Sequence, residues 1–334
     1  MQKKLLRLPT CLLLVNLLLL TLLLVTGCQK QSAAPQILRL GFFPNLTHAP
    51  ALIGVDQGFF QQQLGSVTLE IKTFNAGPEL MEALAAGQLD IAYVGPGPAL
   101  TGFARGLPVE IIAGANDAGA VLVAAPNSPI QSVKDLDGKK VAIPQLGNTQ
   151  DISLRHLLRA NQLQDKAKGG TVTIHQAAPA DVLTLFTQGQ IDAALVPEPW
   201  GVILEQKGNA RLILNENQIW KDGHYPTTVF ITTRSYGEQH KDLVQKMLQA
   251  HQQSVQFIQT NPHAALAAVN RQLLRFTNKE IPIAILETAL SRTKAITTLD
   301  PATLQEYADI SVEAGYIKNP IQVNNLLKTA KYLP

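Results

Sequence analysis

Two stretches of this chain repeat each other. One is VTLEIKTFNAGPELMEALAAGQLDIAYVGP, Val67 to Pro96, and the other is VTIHQAAPADVLTLFTQGQIDAALVPEP, Val172 to Pro199. GQLDIAYV and GQIDAALV align without a gap, with Gly87 opposite Gly189. Each copy reads as strand, polar turn, amphipathic helix, Gly-Gln, strand. The pattern extends upstream. Leu38 to Phe43 is strand-like and leads into Pro44 to His48 and a helix; Val141 to Pro144 ends a strand and leads into Gly147 to Gln150 and a helix. Strand–helix–strand–helix–strand, written twice, predicts two small parallel α/β lobes. Right-handed crossovers then place the helices on the sheet faces.

Val121 to Pro126 (VLVAAP) is β-prone and is expected to carry the chain from the first lobe to the second. Thr227 to Thr233 (TTVFITT) is expected to carry it back, and two crossings make a hinge. The expected organisation is residues 37–122 plus 230–334 for lobe one and 123–229 for lobe two. From about Tyr236 onward the sequence is mostly helical in period and is assigned to the outer side of lobe one. Pro262 and Pro301 stand where helices begin, as proline prefers.

The first residues read differently. Lys3, Lys4 and Arg7 precede an apolar run from Leu12 to Val25, closed by Val25-Thr26-Gly27-Cys28. That is the order of a secretory signal, residues 1–27. The run is short for a membrane span, which leaves an N-terminal anchor helix as the alternative. Residues 28–36 are small and polar, a tether. The formal charge of the whole chain is +3. Residues 1–27 hold three of its cations and no acid, so the remainder is neutral. No Lys/Arg stripe supports nucleic-acid binding, and aromatic residues are too few for base-stacking platforms. The two cysteines are Cys11 and Cys28, so the folded body has no disulfide, thiol nucleophile or sulfur-ligated metal.

In open α/β sheets, ligands bind beyond the carboxyl ends of strands. Two facing lobes would line one cleft with Asn45 to His48, Asn75 to Pro78, Gly95 to Pro98, Asn116 to Gly119, Gly147 to Gln150 and Pro197 to Trp200. The first amides of a helix have no intrahelical partner and carry partial positive charge. Asn148, Thr149 and Gln150 at a helix start therefore suit an oxyanion, although helix capping alone also selects Asn and Thr. Asn45, Thr47 and His48 offer a second site from the other lobe, and His48 could add charge if protonated. The prolines around Gly97 set a rigid turn that can aim its amide inward, with Pro98 beside it. In Pro197-Glu198-Pro199-Trp200 the prolines stiffen the backbone. Trp200 can wall an apolar pocket. Glu198 would repel an anion, so it either serves a structural hydrogen bond or meets a ligand amine. There is no GxSxG, HExxH or phosphate-binding Gly-Lys-Ser/Thr loop, and the histidines show no metal-like spacing.

LGFFPNLTHAPALIGVDQGFF, FNAGPELMEALAAGQLDIAYVGPGPAL, PQLGNTQD and VPEPWGVILEQKG together resemble solute-binding proteins of ABC importers, in the subgroup for aliphatic sulfonates, taurine and nitrate. The resemblance implies a type II periplasmic-binding-protein fold, with the ligand cleft between lobes. It also implies no catalysis, no cofactor, no bound metal, a monomer, and delivery of a small anionic solute to a membrane permease driven by an ATPase. Carried onto matching positions, it implies ligand contacts from Asn45, Thr47, His48, Gly97, Pro98, Asn148, Thr149, Gln150, Glu198 and Trp200. VTGC resembles the bacterial lipoprotein cleavage motif, which implies export and lipid attachment at Cys28. Gln29 follows Cys28, so the inner-membrane retention signal, an Asp, is absent. Nitrate, taurine, phosphonate and thiamine-precursor pyrimidine binders share the architecture and stand as alternatives. For the pyrimidine, Trp200, Tyr93 and Glu198 would stack and pair. An enzyme of the related pyrimidine-synthesis family would need a cleft lysine for pyridoxal phosphate, and the cleft loops supply none.

Overall fold

In a computed structural model, residues 36–220 and 223–332 are described; the expected signal, Cys28 and the tether up to residue 35 lie outside them. Two sheets organise the chain. The first contains β1 (Ile37–Phe42), β2 (Thr68–Thr73), β3 (Ile91–Val94) and β4 (Val109–Ala118). The second contains β5 (Ala120–Ala124), β6 (Lys140–Ile143), β7 (Thr173–Gln176), β8 (Ala193–Pro197) and β9 (Arg211–Leu214). The chain then returns to the first sheet as β10 (Pro226–Thr233) and β11 (Thr293–Ala295). The strand orders are β11-β4-β10-β3-β1-β2 and β7-β6-β8-β5-β9.

The repeat in the sequence is a repeat in space. β2-β1-β3 and β7-β6-β8 are parallel trios built the same way. Neither lobe is purely parallel, however. β10 enters the first sheet antiparallel to β3 and β4, and β5 enters the second antiparallel to β8 and β9. The stretches expected to link the lobes are therefore strands of the sheets, each donated to one lobe by chain arriving from the other. Their composition explains this. Val121, Leu122, Val123, Ala124, Val229, Phe230 and Ile231 are fully buried. A run that is apolar on both faces needs cover on both, which a sheet interior supplies and a linker does not. The crossings fall at Gly119 and within residues 215–225. The expected boundaries at 122/123 and 229/230 lie inside β5 and β10.

Helices Lys241–Thr260 and Pro262–Thr277 pack on helices Ala49–Asp56 and Phe59–Leu64, outside the first sheet, as expected. Pro262 and Pro301 are the first residues of their helices. The last long helix departs from the expectation. Pro301–Glu313 packs on helix Pro96–Ala104 of lobe one and on helix Thr149–Ala160 of lobe two. Its buried face (Leu304, Tyr307, Ala308, Ile310) needs both supports. Trp220, from the return crossing, stacks on Tyr307 at 4.3 Å and on His156 at 4.5 Å, and donates Nε1–H to Glu306 at 2.9 Å. Among the described residues no helix is long and apolar enough to cross a membrane.

Candidate functional site

Four helices start at the wall of one small cavity between the lobes: Ala49–Asp56, Gly77–Ala85, Pro96–Ala104 and Thr149–Ala160. Three begin in lobe one and one in lobe two. The helix starts are local consequences of sequence. Proline occupies the first or second helical position in the first three, where its missing N–H costs nothing. Asn148 caps the fourth by accepting the Asp151 N–H at 2.8 Å. Each helix aims roughly half a positive charge at its start. Their convergence makes an electropositive cavity without a single cation: among the described lining residues none is Asp, Glu, Lys or Arg.

The wall includes Asn45, Thr47, His48, Asn75, Gly95, Pro98, Asn148, Thr149, Gln150 and Thr227. All but Pro98 and Asn75 are polar or glycine and buried. The main-chain amides of Thr149 and Gln150, first in their helix, have no partner within it. The Thr149 hydroxyl is buried with no protein partner. A buried unsatisfied hydroxyl costs about 1–3 kcal/mol, so a group here that serves a ligand is recovered only when the ligand binds.

Lobe one contributes differently from the expectation. The amides around His48 are engaged: Leu46 N–H donates to the Glu198 carbonyl at 3.0 Å, Thr47 N–H to Asn45 Oδ1 at 3.0 Å, and His48 N–H to the Asn45 carbonyl at 3.1 Å. The short 3₁₀ turn Leu46–His48 consumes them. What remains is side-chain chemistry. Phe43 N–H donates to His48 Nδ1 at 3.4 Å, which places the imidazole proton on Nε2. Complete burial pushes the His48 pKa down to about 3. His48 is therefore a neutral donor at physiological pH and adds no charge.

The central cavity is about 20 Å³. Beside it, sharing Phe43, Asn45 and Asn75, lies a cavity of about 310 Å³ lined by Phe43, Phe74, Trp200, Phe276 and the cation Lys279. Trp200 belongs to this outer space. Leu46 is fully buried in the lobe-one core.

Of the residues singled out from sequence, Asn45, Thr47, His48, Pro98, Asn148, Thr149 and Gln150 meet at the central wall. Gly97 lies just behind it, packed on Thr149 and Ile152. Glu198 is fully buried away from the wall, ion-paired to Arg292 at 2.9 Å and accepting the Val202 N–H at 3.1 Å. Tyr93 is buried in lobe one, stacked on Phe230 at 4.2 Å and bonded to His251 at 3.0 Å. Two of the three groups that a pyrimidine would use, Tyr93 and Glu198, are thus committed elsewhere, and Trp200 lines the outer cavity. Sequence reasoning missed Thr227. The only signal was that two threonines follow Pro226 at the start of β10, where an apolar strand would not carry them.

Two lobes joined by crossed strands and closing on a cavity of neutral donors define a type II periplasmic-binding-protein fold. A sequence profile of the NMT1-like family matches residues 31–273, and the chain belongs to that family. It is 26% identical over 314 residues to a Bacillus subtilis (strain 168) protein provisionally named an aliphatic sulfonates-binding protein, covering 91% of each chain. Its fold matches the alkanesulfonate-binding protein SsuA from Xanthomonas axonopodis pv. citri, solved with MOPS (TM-score 0.75, 22% identity, 89% of this chain and 99% of that one). It also matches the periplasmic nitrate-binding protein NrtA from Synechocystis PCC 6803 (TM-score 0.71, 18% identity, 89% and 86%).

Proposed function

We propose that this protein is the extracytoplasmic solute-binding component of an ABC importer, that its solute is an aliphatic sulfonate or a similar small oxyanion, and that it acts as a monomer without catalysis. The observation that carries this is the meeting of helix starts and neutral donors around a compact cavity with no Asp, Glu, Lys or Arg among its described lining residues. Such a site replaces the water around an oxyanion with fixed dipoles. The head group takes the central cavity, and a short tail runs outward past Phe43, Phe74, Trp200 and Phe276. Closure is favoured by the ligand because only the shut form offers both halves of the site. The names of the relatives, sulfonate and nitrate binders, fit the same chemistry.

Calorimetry with methanesulfonate, longer alkanesulfonates, taurine and nitrate tests the reading. Binding of at least one sulfonate supports it; silence across the sulfonates discards it. Export and lipid attachment at Cys28 complete the proposal. Cys28→Ala should move the protein from the membrane fraction to the soluble fraction, and an unchanged distribution would refute the anchor.

A further inference from the structure

We infer that the outer cavity selects a sulfonate whose tail is an aromatic ring carrying a second acidic group at its far end. This rests on the sulfonate reading above and names the class of tail that the same site takes. The chain has 10 Phe and 2 Trp, and Phe43, Phe74, Trp200 and Phe276 converge on one cavity of about 310 Å³. All four are half-buried. They are anchored in three different apolar clusters. Phe43 and Phe74 pack on the cluster around Val94 and Ile143, Phe276 on the one around Phe42 and Phe230, and Trp200 on the one around Val123 and Val196. Each ring is thus held from behind and gives its remaining surface to the cavity. Phe276 meets Phe42 edge-on at 5.4 Å, and Phe43 lies against the His48 ring at 4.3 Å. His48 belongs to the central wall, and the two cavities share Phe43, Asn45 and Asn75. An aromatic surface therefore runs without a break from the head-group site into the outer space.

A dry apolar void of about 150 Å³ admits a benzene ring, so the outer cavity has room for one ring and a substituent. Ring-on-ring contacts are worth about 2- to 12-fold in affinity beyond the area they bury. A saturated tail of the same size gains none of this, and an open chain also loses rotamer freedom when it is ordered. The charge pattern selects the substituent. No Asp or Glu is among the described lining residues of the outer cavity, and Lys279 is. The Lys279 ammonium makes no ion pair or hydrogen bond among the described residues. The Arg275 guanidinium lies over the Phe276 ring, 5.1 Å from its centroid, and adds positive charge beside the same wall. One negative charge is met in the central cavity by helix dipoles, and a second is met outside by Lys279. A ring between the two keeps them apart and weakens their mutual repulsion. Lys279 is exposed, so its pairing is worth up to about 5-fold.

The test is calorimetry with methanesulfonate, cyclohexanesulfonate, benzenesulfonate and para-sulfobenzoate. Benzenesulfonate should bind about 5-fold more tightly than cyclohexanesulfonate, which has the same carbon count and nearly the same size. Para-sulfobenzoate should gain about a further 5-fold over benzenesulfonate, and this second gain should shrink as salt is raised. Lys279→Gln should bring the ratio of para-sulfobenzoate to benzenesulfonate affinity towards one. Trp200→Leu should do the same to the ratio of benzenesulfonate to cyclohexanesulfonate affinity. If Trp200→Leu binds no sulfonate, the second ratio is read from Phe74→Leu. Cyclohexanesulfonate binding as tightly as benzenesulfonate, para-sulfobenzoate binding no more tightly than benzenesulfonate, or ratios unchanged in the variants would overturn the inference. With methanesulfonate still bound, each of these results leaves the sulfonate reading standing. Failure of the unaltered protein to bind any of the sulfonates removes both.

Discussion

Arg292 Nη1 lies 2.9 Å from Glu198 Oε1 and 2.6 Å from Glu205 Oε1, so one guanidinium tethers the Pro197–Trp200 turn of lobe two to the segment that leads into β11 of lobe one. The turn is held a second time by main chain, Leu46 N–H to the Glu198 carbonyl and Glu198 N–H to the Gly119 carbonyl at 2.9 Å. Glu198 is therefore part of the frame that fixes the two half-sites, its carboxylate turned to Arg292 and the Val202 N–H and away from the cavity wall. Removing one partner of a buried pair leaves an uncompensated charge. Arg292→Leu should cost about 3 kcal/mol, whereas Glu198→Gln, which leaves Arg292 paired with Glu205, should cost about 1 kcal/mol. Urea unfolding measures both. Glu198→Gln should also bind methanesulfonate as the parent does; abolished binding would make Glu198 a ligand group after all.

The half of this arrangement that was legible in the sequence is the local half. Gly, Asn, Thr and Pro at strand-to-helix turns declare where helices start, so Asn45, Thr47, His48 and Asn148 to Gln150 could be placed at the cleft from spacing alone. The repeated Gly-Gln-hydrophobic-Asp run declared the two lobes. What was not legible depends on distant pairing. Nothing near Glu198 announces Arg292, 94 residues away. Nothing in Val121–Ala124 or Thr227–Thr233 says that each strand joins the sheet on the far side of the hinge, because an antiparallel strand buried on both faces reads like a buried parallel one. The helix Pro301–Glu313 is amphipathic in either setting, and its apolar stripe does not say that it bridges lobes.

Buried histidines and a buried carboxyl give stability opposite pH dependences. His48 falls from 6.5 in the unfolded chain to about 3 when buried. Its contribution is complete above about pH 6.5 and is lost as pH falls towards 3, an effect of roughly 5 kcal/mol at about 1.4 kcal/mol per unit. His251, also fully buried and pushed down to about 4, acts in the same direction. Burial pushes the Glu198 carboxyl from 4.5 up to about 7, against the opposing pull of Arg292. Its contribution is complete below about 4.5 and is lost as pH rises through about 7. Acid should therefore destabilise the protein through the histidines. Unfolding free energies across this range, compared with His48→Gln, check the sign: the variant should lose less stability than the parent between neutral and acid pH. An equal loss would remove His48 as a cause.

Gly119 is the first crossing between lobes, with φ +84°, immediately after Ala118 at φ +57°. A Cβ there would meet Thr293 Cγ2 at 2.8 Å and Thr47 Cγ2 at 3.1 Å. A side chain at this position pays twice, in left-handed backbone strain and in contact with β11 and the ligand loop. Gly119→Ala should destabilise by about 2 kcal/mol. Because Thr47 is one of the two contacts, sulfonate affinity should fall as well. Thermal melts and calorimetry read the two effects, and a variant that melts like the parent would show that the turn relaxes freely.

Thr149 separates binding from stability most cleanly. Its hydroxyl is buried, lacks a protein partner and stands at the first position of the helix whose amides face the cavity. Valine has nearly the same shape and nothing to satisfy. Without ligand, Thr149→Val should therefore leave the protein as stable as the parent or more stable, by up to about 1 kcal/mol. With ligand the sign reverses: methanesulfonate should bind about 10-fold more weakly, the value of one hydrogen bond to a charged group. The difference in melting temperature with and without methanesulfonate should shrink accordingly, since ligand stabilisation follows affinity. A variant that loses stability in the absence of ligand would instead mean that the hydroxyl is a structural group, and that the cavity recognises its guest through the Thr149 and Gln150 amides and the neighbouring side chains alone.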